Sequence, residues 1–324
     1  MTEASLQVSG YQTRRGGLRR GDVHELDLRL DAEAGRDTPA AYLKPGVLSA
    51  GGVAVAGHEG YLFIADGSNR WETQFSHERP APEAWISSWR SLLAQRQINA
   101  ARQETRLWNL IIPEKQVIYP EKRWPTGGPD GASRPVRQLL ATITPEDRLI
   151  YPEQELLDCK SLAPVFSRRN SHWTASGAIA ALEAVLRRAL PGMALDDLAF
   201  SVERVITSHD LPVHFFDPAP LEPALTLVPA GVMTEDNRLY ELTRRHVGSR
   251  YVLENARAPH PGHALIFGDS FAFDAGFSPA LSSVFQKVTF TWSKDVQWDT
   301  VAAQRPALVL WESAERFILT HPSA

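Results

Sequence analysis

Apolar side chains recur at three- and four-residue spacing in two long stretches of the chain, and each predicts an amphipathic helix. In PAPEAWISSWRSLLAQRQINAARQ, residues 80–103, the stripe runs through Trp85, Trp89, Leu92, Leu93 and Ile98, behind prolines suited to a helix start. In TASGAIAALEAVLRRALPG, residues 174–192, it runs through Ile179, Leu182, Val185 and Leu186. Thr174 is the expected N-cap there, Arg187 and Arg188 stand in the last turns where cations suit the helix dipole, and Pro-Gly ends the pattern. Other apolar runs are short and nearly continuous: LWNLIIP at 107–113, ALIF at 264–267, KVTFTW at 287–292 and ALVLW at 307–311. Such runs predict strands buried on both faces. Their alternation with helices predicts an α/β domain with a mostly parallel sheet covered on both sides.

Two stretches differ from this grammar. GGVAVAGHEGYLFIADGSN, residues 51–69, has short apolar runs between glycines and predicts a hairpin. In VHELDLRLDA the alternation of Val23, Leu26, Leu28 and Leu30 predicts a half-buried edge strand. Residues 1–50 are therefore expected to form an N-terminal appendage to a main domain at 51–324, with 193–260 as an insertion or cap region.

A length of 324 residues suits one elaborated domain, and 43% hydrophobic residues supply its core. The net charge of -4 gives no electrostatic basis for nucleic acid or an anionic membrane as main partner. Cys159 is the only cysteine, which excludes an internal disulfide and a thiolate metal cluster and leaves it as a buried small hydrophobe. No His-x-x-x-His or carboxylate-flanked set calls for a metal. The chain has no apolar stretch of the roughly 18 residues that span a bilayer, and its first residues lack the apolar core of an export signal. A cytoplasmic location is the resulting expectation.

The candidate chemistry begins at HALIFGDSFAFD, residues 263–274. Ser270 directly follows a predicted buried strand, at the sheet end where open α/β folds form their ligand crevice. Its backbone N–H would start a helix, where an oxyanion is stabilised, while Gly268 lets the chain turn. Gly-Asp-Ser is also ordinary turn and cap chemistry, so the tripeptide alone decides little. A serine nucleophile needs a general base. SRRNSHWT, residues 167–174, offers His172 just ahead of a helix, where the dipole favours neutral imidazole, and offers Asn170 to orient its ring.

NSHWT upstream and GDSF downstream together resemble the SGNH-type O-acetyltransferases of the alginate O-acetylation family (AlgX/AlgJ-like), which carry Asp-x-His-Trp and later Gly-Asp-Ser. GHEGYLF, IIPEKQVIYPE and PALVLWESAERFI resemble further family stretches in the same order, over roughly residues 51–318. The resemblance implies an SGNH-like (flavodoxin-like) fold and a serine O-acyltransferase with Ser270, His172 and Asn170 as catalytic residues and Asp269 and Gly268 supporting them. It implies a carbohydrate or other hydroxyl-bearing acceptor and other proteins of a biosynthetic pathway as partners, with no tightly bound cofactor; the expected cytoplasmic location in turn points to acetyl-CoA or another acyl donor as co-substrate.

Asn170 stands where the family has aspartate, and an amide supports an imidazolium less well than a carboxylate. Asn170→Asp is therefore expected to leave activity unchanged or raise it, unless Asp269 or Glu312 comes near His172 and supplies the charge. Three readings stay open: a transferase, an acetyl esterase using the same site, and a non-catalytic glycan-binding or scaffold protein. Trp173 reads first as packing and second as a sugar-stacking surface. Lys115, at a predicted strand end, reads as a surface lysine or a substrate contact. Glu312 and Arg316, one helical turn apart, are expected to pair as a buried ion pair.

Overall fold

The four continuous apolar runs become the centre of a seven-stranded sheet. The computed structural model describes residues 13–34, 38–65, 71–75, 81–125, 133–273 and 276–321, so Asp66–Asn69 of the hairpin stretch lie outside the described residues. In chain order the strands are β1 (Thr13–Leu18), β2 (Ala54–Ala56), β3 (Leu62–Ile64), β4 (Arg106–Ile112), β5 (Leu149–Ile150) and β6 (Phe200–Thr207). They continue with β7 (Glu222–Val228), β8 (Val232–Asp236), β9 (Arg250–Glu254), β10 (His260–Gly268), β11 (Phe285–Trp292) and β12 (Leu308–Ala314). The large sheet runs β5-β4-β12-β10-β11-β9-β8, parallel as far as β11 and antiparallel beyond it. A second sheet, β1-β6-β7, and the hairpin β2-β3 are antiparallel.

Two-residue periodicity divides the central strands between two cores. Leu265 and Phe267 of β10 join Val309 and Trp311 of β12 against Trp89 and Leu93 of the Glu83–Arg102 helix. Ala264, Ile266, Leu308 and Leu310 fall on the other face, in the core built around the Ala175–Ala189 helix. That helix is capped as its sequence predicts, Thr174 Oγ1 accepting from Gly177 N at 3.2 Å. The stripe on Glu83–Arg102 is shifted from the expected one: Trp89, Leu93, Arg96 and Ala100 are buried, whereas Ile98 is 48% exposed.

The stretch expected as an edge strand is a helix, Arg20–Ala34. Leu26 and Leu30 also satisfy helical spacing with Val23, so Val23, Asp27 and Leu30 fall on one buried face while Leu28 is left 48% exposed. The helix packs on Ala175–Ala189 and on β7, and Val23 enters the larger core. The stretch 193–260 divides between the sheets, giving β6 and β7 to the small one and β8 and β9 to the large one.

Asp27 is buried and accepts from Ser176 N at 2.7 Å. Burial raises its carboxyl from 3.8 to about 7, against the pull of its bonds from Ser176. Between those values the folded chain keeps a proton that the unfolded chain has released, so this group's contribution to stability is lost as pH rises through the window. Asp27→Asn removes that dependence. Relative to the wild type its unfolding free energy should gain up to about 4 kcal/mol between about pH 4 and about pH 8. Denaturant titrations of both proteins at the two pH values check this, and an unchanged difference would refute it.

Candidate active site

Ser270 opens a one-turn helix, Ser270–Phe273, immediately beyond β10. As the first helical residue it keeps a backbone N–H with no intrahelical acceptor, although so short a helix adds little dipole. Asp269 fixes the turn: its Oδ1 accepts from Phe271 N at 3.0 Å and its Oδ2 from Ala314 N at 2.8 Å. Its own N–H donates to Glu312 Oε2 at 3.1 Å. A Cβ on Gly268 would lie 2.5 Å from that same carboxylate oxygen. Close approach, rather than a left-handed turn, is therefore what requires glycine at 268.

His172 reaches Ser270 from a loop rather than from a strand end of the sheet. The isolated bridge Phe166–Trp173 is the loop's sheet-like pairing, and Leu62 N donates to Arg168 O at 2.8 Å. His172 Nε2 lies 2.8 Å from Ser270 Oγ and its Nδ1 2.8 Å from Asn170 Oδ1. Asn170 Oδ1 also accepts from His172 N at 3.0 Å. Since the amide oxygen only accepts, the proton sits on Nδ1, and Nε2 is free to accept from the serine hydroxyl. Burial moves the His172 pKa below its usual 6.5, Asp210 and Asp269 pulling it up, Arg316 and Lys115 pushing it further down. The imidazole is thus the neutral form that a base requires.

Several side chains take other places than the sequence implied. Lys115 is 1% exposed and its Nζ donates to the carbonyls of Ser167, Arg168 and Asn170 at 3.1, 3.1 and 2.8 Å, so it is neither a surface lysine nor a substrate contact. Trp173 is buried, with Phe271 edge-on at 5.0 Å and Phe277 at 5.6 Å, so it packs as its first reading expects, and it also borders the larger cavity described below. Arg316 pairs with Glu114 at 2.9 Å and not with Glu312, because β12 extends through Ala314 and the two residues do not share a helix. Both oxygens of Asp269 and Oε2 of Glu312 hold the Ser270 turn, and neither residue replaces Asn170 at Nδ1.

Asp210 was not among the residues the sequence singled out. Its Oδ2 lies 3.8 Å from His172 Nδ1, its Oδ1 accepts from Ser171 N at 2.8 Å, and Ser171 Oγ donates to Oδ2. Its neighbour His209 places Nδ1 3.3 Å from Asn170 Nδ2 and Nε2 3.8 Å from Glu222 Oε2. The only sequence signal is a His-Asp dipeptide in a stretch without periodicity. The loop around His172 is further tied by Arg168 to Asp31 at 2.7 and 2.8 Å and by buried Arg169 to Glu222 at 2.6 Å.

The Ser270–His172 pair lies between two cavities. One, of about 250 Å³, is lined by His172 and Asn170 together with Asp31, Thr207, Glu222 and Thr226. The other, of about 110 Å³, is lined by Ser270 with Trp292, Lys294, Trp311 and Phe317. Among the described residues no cluster of His, Cys, Asp and Glu could hold a metal ion, and no helix is long and apolar enough to cross a membrane.

Residues 54–315 match the family model for the SGNH hydrolase-like domain of acetyltransferase AlgX. Among solved structures, the O-acetyltransferase domain of Pseudomonas putida AlgJ is 18% identical with a TM-score of 0.52, over 82% of this chain and 92% of that one. Bacillus cereus PatB1 with a sulfonyl adduct is 13% identical with a TM-score of 0.54, over 74% and 93%. A DHHW family protein from Eubacterium siraeum is 11% identical with a TM-score of 0.54, over 82% and 91%. At these identities the likenesses show a shared fold. No curated protein matches the chain.

Proposed function

This chain belongs to the AlgX family of SGNH hydrolase-like acetyltransferase domains, and from that premise we propose that it moves an acetyl group to a hydroxyl-bearing acceptor through an acyl-enzyme at Ser270. The observation that carries the reading is the unbroken line of contacts from Ser270 Oγ through His172 to Asn170 Oδ1. In the first half-reaction Ser270 Oγ attacks the acyl carbonyl as its proton passes to His172 Nε2. The oxyanion faces the Ser270 N–H, and the imidazolium then returns the proton to the leaving group as the carbonyl re-forms. In the second, His172 takes the acceptor hydroxyl proton, the acceptor oxygen attacks the acyl-enzyme, and the same proton restores Ser270.

The small cavity beside Ser270, with Trp292, Trp311 and Phe317 in its wall, supports a short acyl group. The larger one beside His172 has hydroxyls and carboxylates that suit a polyhydroxyl acceptor such as a carbohydrate. Water in the acceptor's place would make the same site an esterase, so acceptor dependence of acetyl release separates the two.

Intact-mass spectrometry after exposure to an activated acetyl ester tests the reading. One acetyl group should appear on the peptide containing Ser270, and a wild-type protein without that adduct would end it. A pH-rate profile gives an independent expectation. Because His172 must be neutral to act, kcat/KM should rise with pH through a midpoint below the ordinary histidine value of 6.5 and fall away on the acid side. A midpoint above that value would contradict His172 as the base.

A further inference from the structure

We propose, building on the Ser270–His172 chemistry above, that Asp210 is a positioning residue which supplies from the loop after β6 the negative charge that position 170 lacks, and so steadies the His172 imidazolium. Asn170 holds the ring by its direct bond at 2.8 Å, but an amide carries no charge to offset the proton that His172 takes from serine. Asp210 Oδ2 stands 3.8 Å from the same Nδ1, close enough for its charge to favour the protonated ring. Burial alone would raise the Asp210 carboxyl, yet the facing His172, the two bonds from Ser171 and the nearby Lys115 hold it below the ordinary carboxylate range. It is therefore ionised wherever His172 works.

The other charges around His172 have prior engagements. Asp269 is bonded to Phe271 N and Ala314 N, Arg316 to Glu114, and Lys115 to three carbonyls. The geometry also explains why 170 is an amide. Asn170 must accept from His172 on one side and donate to His209 Nδ1 at 3.3 Å on the other. His209 is 4% exposed, and burial lowers its pKa to about 4, so it is neutral with Nε2–H toward Glu222 and a lone pair toward Asn170. An aspartate at 170 would set oxygen against that lone pair until the His209 proton moved from Nε2 to Nδ1, and it would put a second negative charge beside Asp210, which is the larger cost. Asparagine bridges the two histidines, and the charge sits at 210 instead. The expectation that Asn170→Asp alone preserves or improves activity is accordingly replaced by one in which the aspartate is tolerated only when 210 is neutralised.

Titration of the His172 ring by NMR in the full chain tests this, alongside the rate of acetyl-enzyme formation. In Asp210→Asn the His172 midpoint should fall by about one pH unit. Acylation should slow roughly 10- to 100-fold with KM within about twofold, and the acid limb should move to lower pH. Ser171→Ala, which removes a bond to Asp210 but no charge, should keep the wild-type midpoint. The double variant Asn170→Asp with Asp210→Asn should recover both midpoint and rate. Asp210→Ser gives a second neutral side chain should the amide disturb the turn. A midpoint unmoved in both neutral variants overturns the proposal. So does a loss that Ser171→Ala reproduces and the double variant fails to rescue, since Asp210 would then be only a staple for the loop. The titration needs no turnover, so a shifted midpoint in a protein that forms no Ser270 adduct would sink the Ser270 reading and leave the electrostatic link standing.

Discussion

Ser270→Ala is expected to lower turnover of an acetyl ester by roughly 10⁴- to 10⁶-fold while leaving the fold intact. The hydroxyl is what His172 Nε2 contacts at 2.8 Å, and in the proposed mechanism it is the atom that carries the acetyl group between the two half-reactions. Removing it deletes the covalent route and leaves only binding and oxyanion stabilisation. The structural loss is one hydrogen bond of a half-buried side chain, about 1 kcal/mol, because the turn is held by Asp269 and Glu312. Residues that act as a unit are strongly non-additive, so His172→Ala in the same background should slow the reaction little further. Steady-state rates together with thermal melts decide it. A variant that keeps a tenth of the wild-type rate would mean that another group bears the acyl chain.

The largest loss of stability is expected at Glu114→Gln, measured above about pH 7, because burial raises the Glu114 carboxyl from 4.5 to about 7 and Arg316 draws it back only in part. Glu114 and Arg316 are 1% and 5% exposed and lie 2.9 Å apart, joining the segment after β4 to the segment after β12. Taking one charge from such a pair strands the other in a low-dielectric interior and costs about 3 to 5 kcal/mol. The glutamine oxygen can still accept one bond from the guanidinium, which places the expectation near the lower end. Arg316 also stands 5.5 Å from the ring of Phe271, next to Ser270, so the loss should be felt in the site as well. Replacing both partners, as Glu114→Leu with Arg316→Met, should recover most of the stability because no unpaired charge remains. Urea unfolding of the single and double variants checks both statements, and a single variant within 1 kcal/mol of wild type would show that the pair contributes little.

Ser270, His172 and Asn170 could be read from the sequence because each lies beside a strongly patterned element, β10 in one case and the Ala175–Ala189 helix in the other. Asp210 could not. Its approach to His172 depends on how the β1-β6-β7 sheet sits over the loop, and nothing local in Ser208, His209 and Asp210 encodes that placement. Lys115 misled for a related reason. A lysine beyond a strand looks solvated until three carbonyls from another segment surround it, which is a tertiary fact. Leu26 and Leu30 fit both a period of two and a period of 3.6, Leu28 only the first, and packing against Ala175–Ala189 and β7 decided for the helix. The Glu312–Arg316 pairing failed because it assumed one helix across a boundary where β12 in fact continues.

The loop that carries His172 is tethered to partners distant along the chain: Arg168 to Asp31 across 137 positions, Lys115 to Asn170 across 55, Arg169 to Glu222 across 53 and Ser171 to Asp210 across 39. Each tether closes a large loop, and contacts of that kind form late because chain entropy must be surrendered before they give anything back. Ser270 itself follows His172 by 98 residues. A chain still emerging from the ribosome can therefore hold a finished Ala175–Ala189 helix and an imidazole without any means of acylation. Reactivity arrives as a late event of folding, and an unfinished chain is chemically silent.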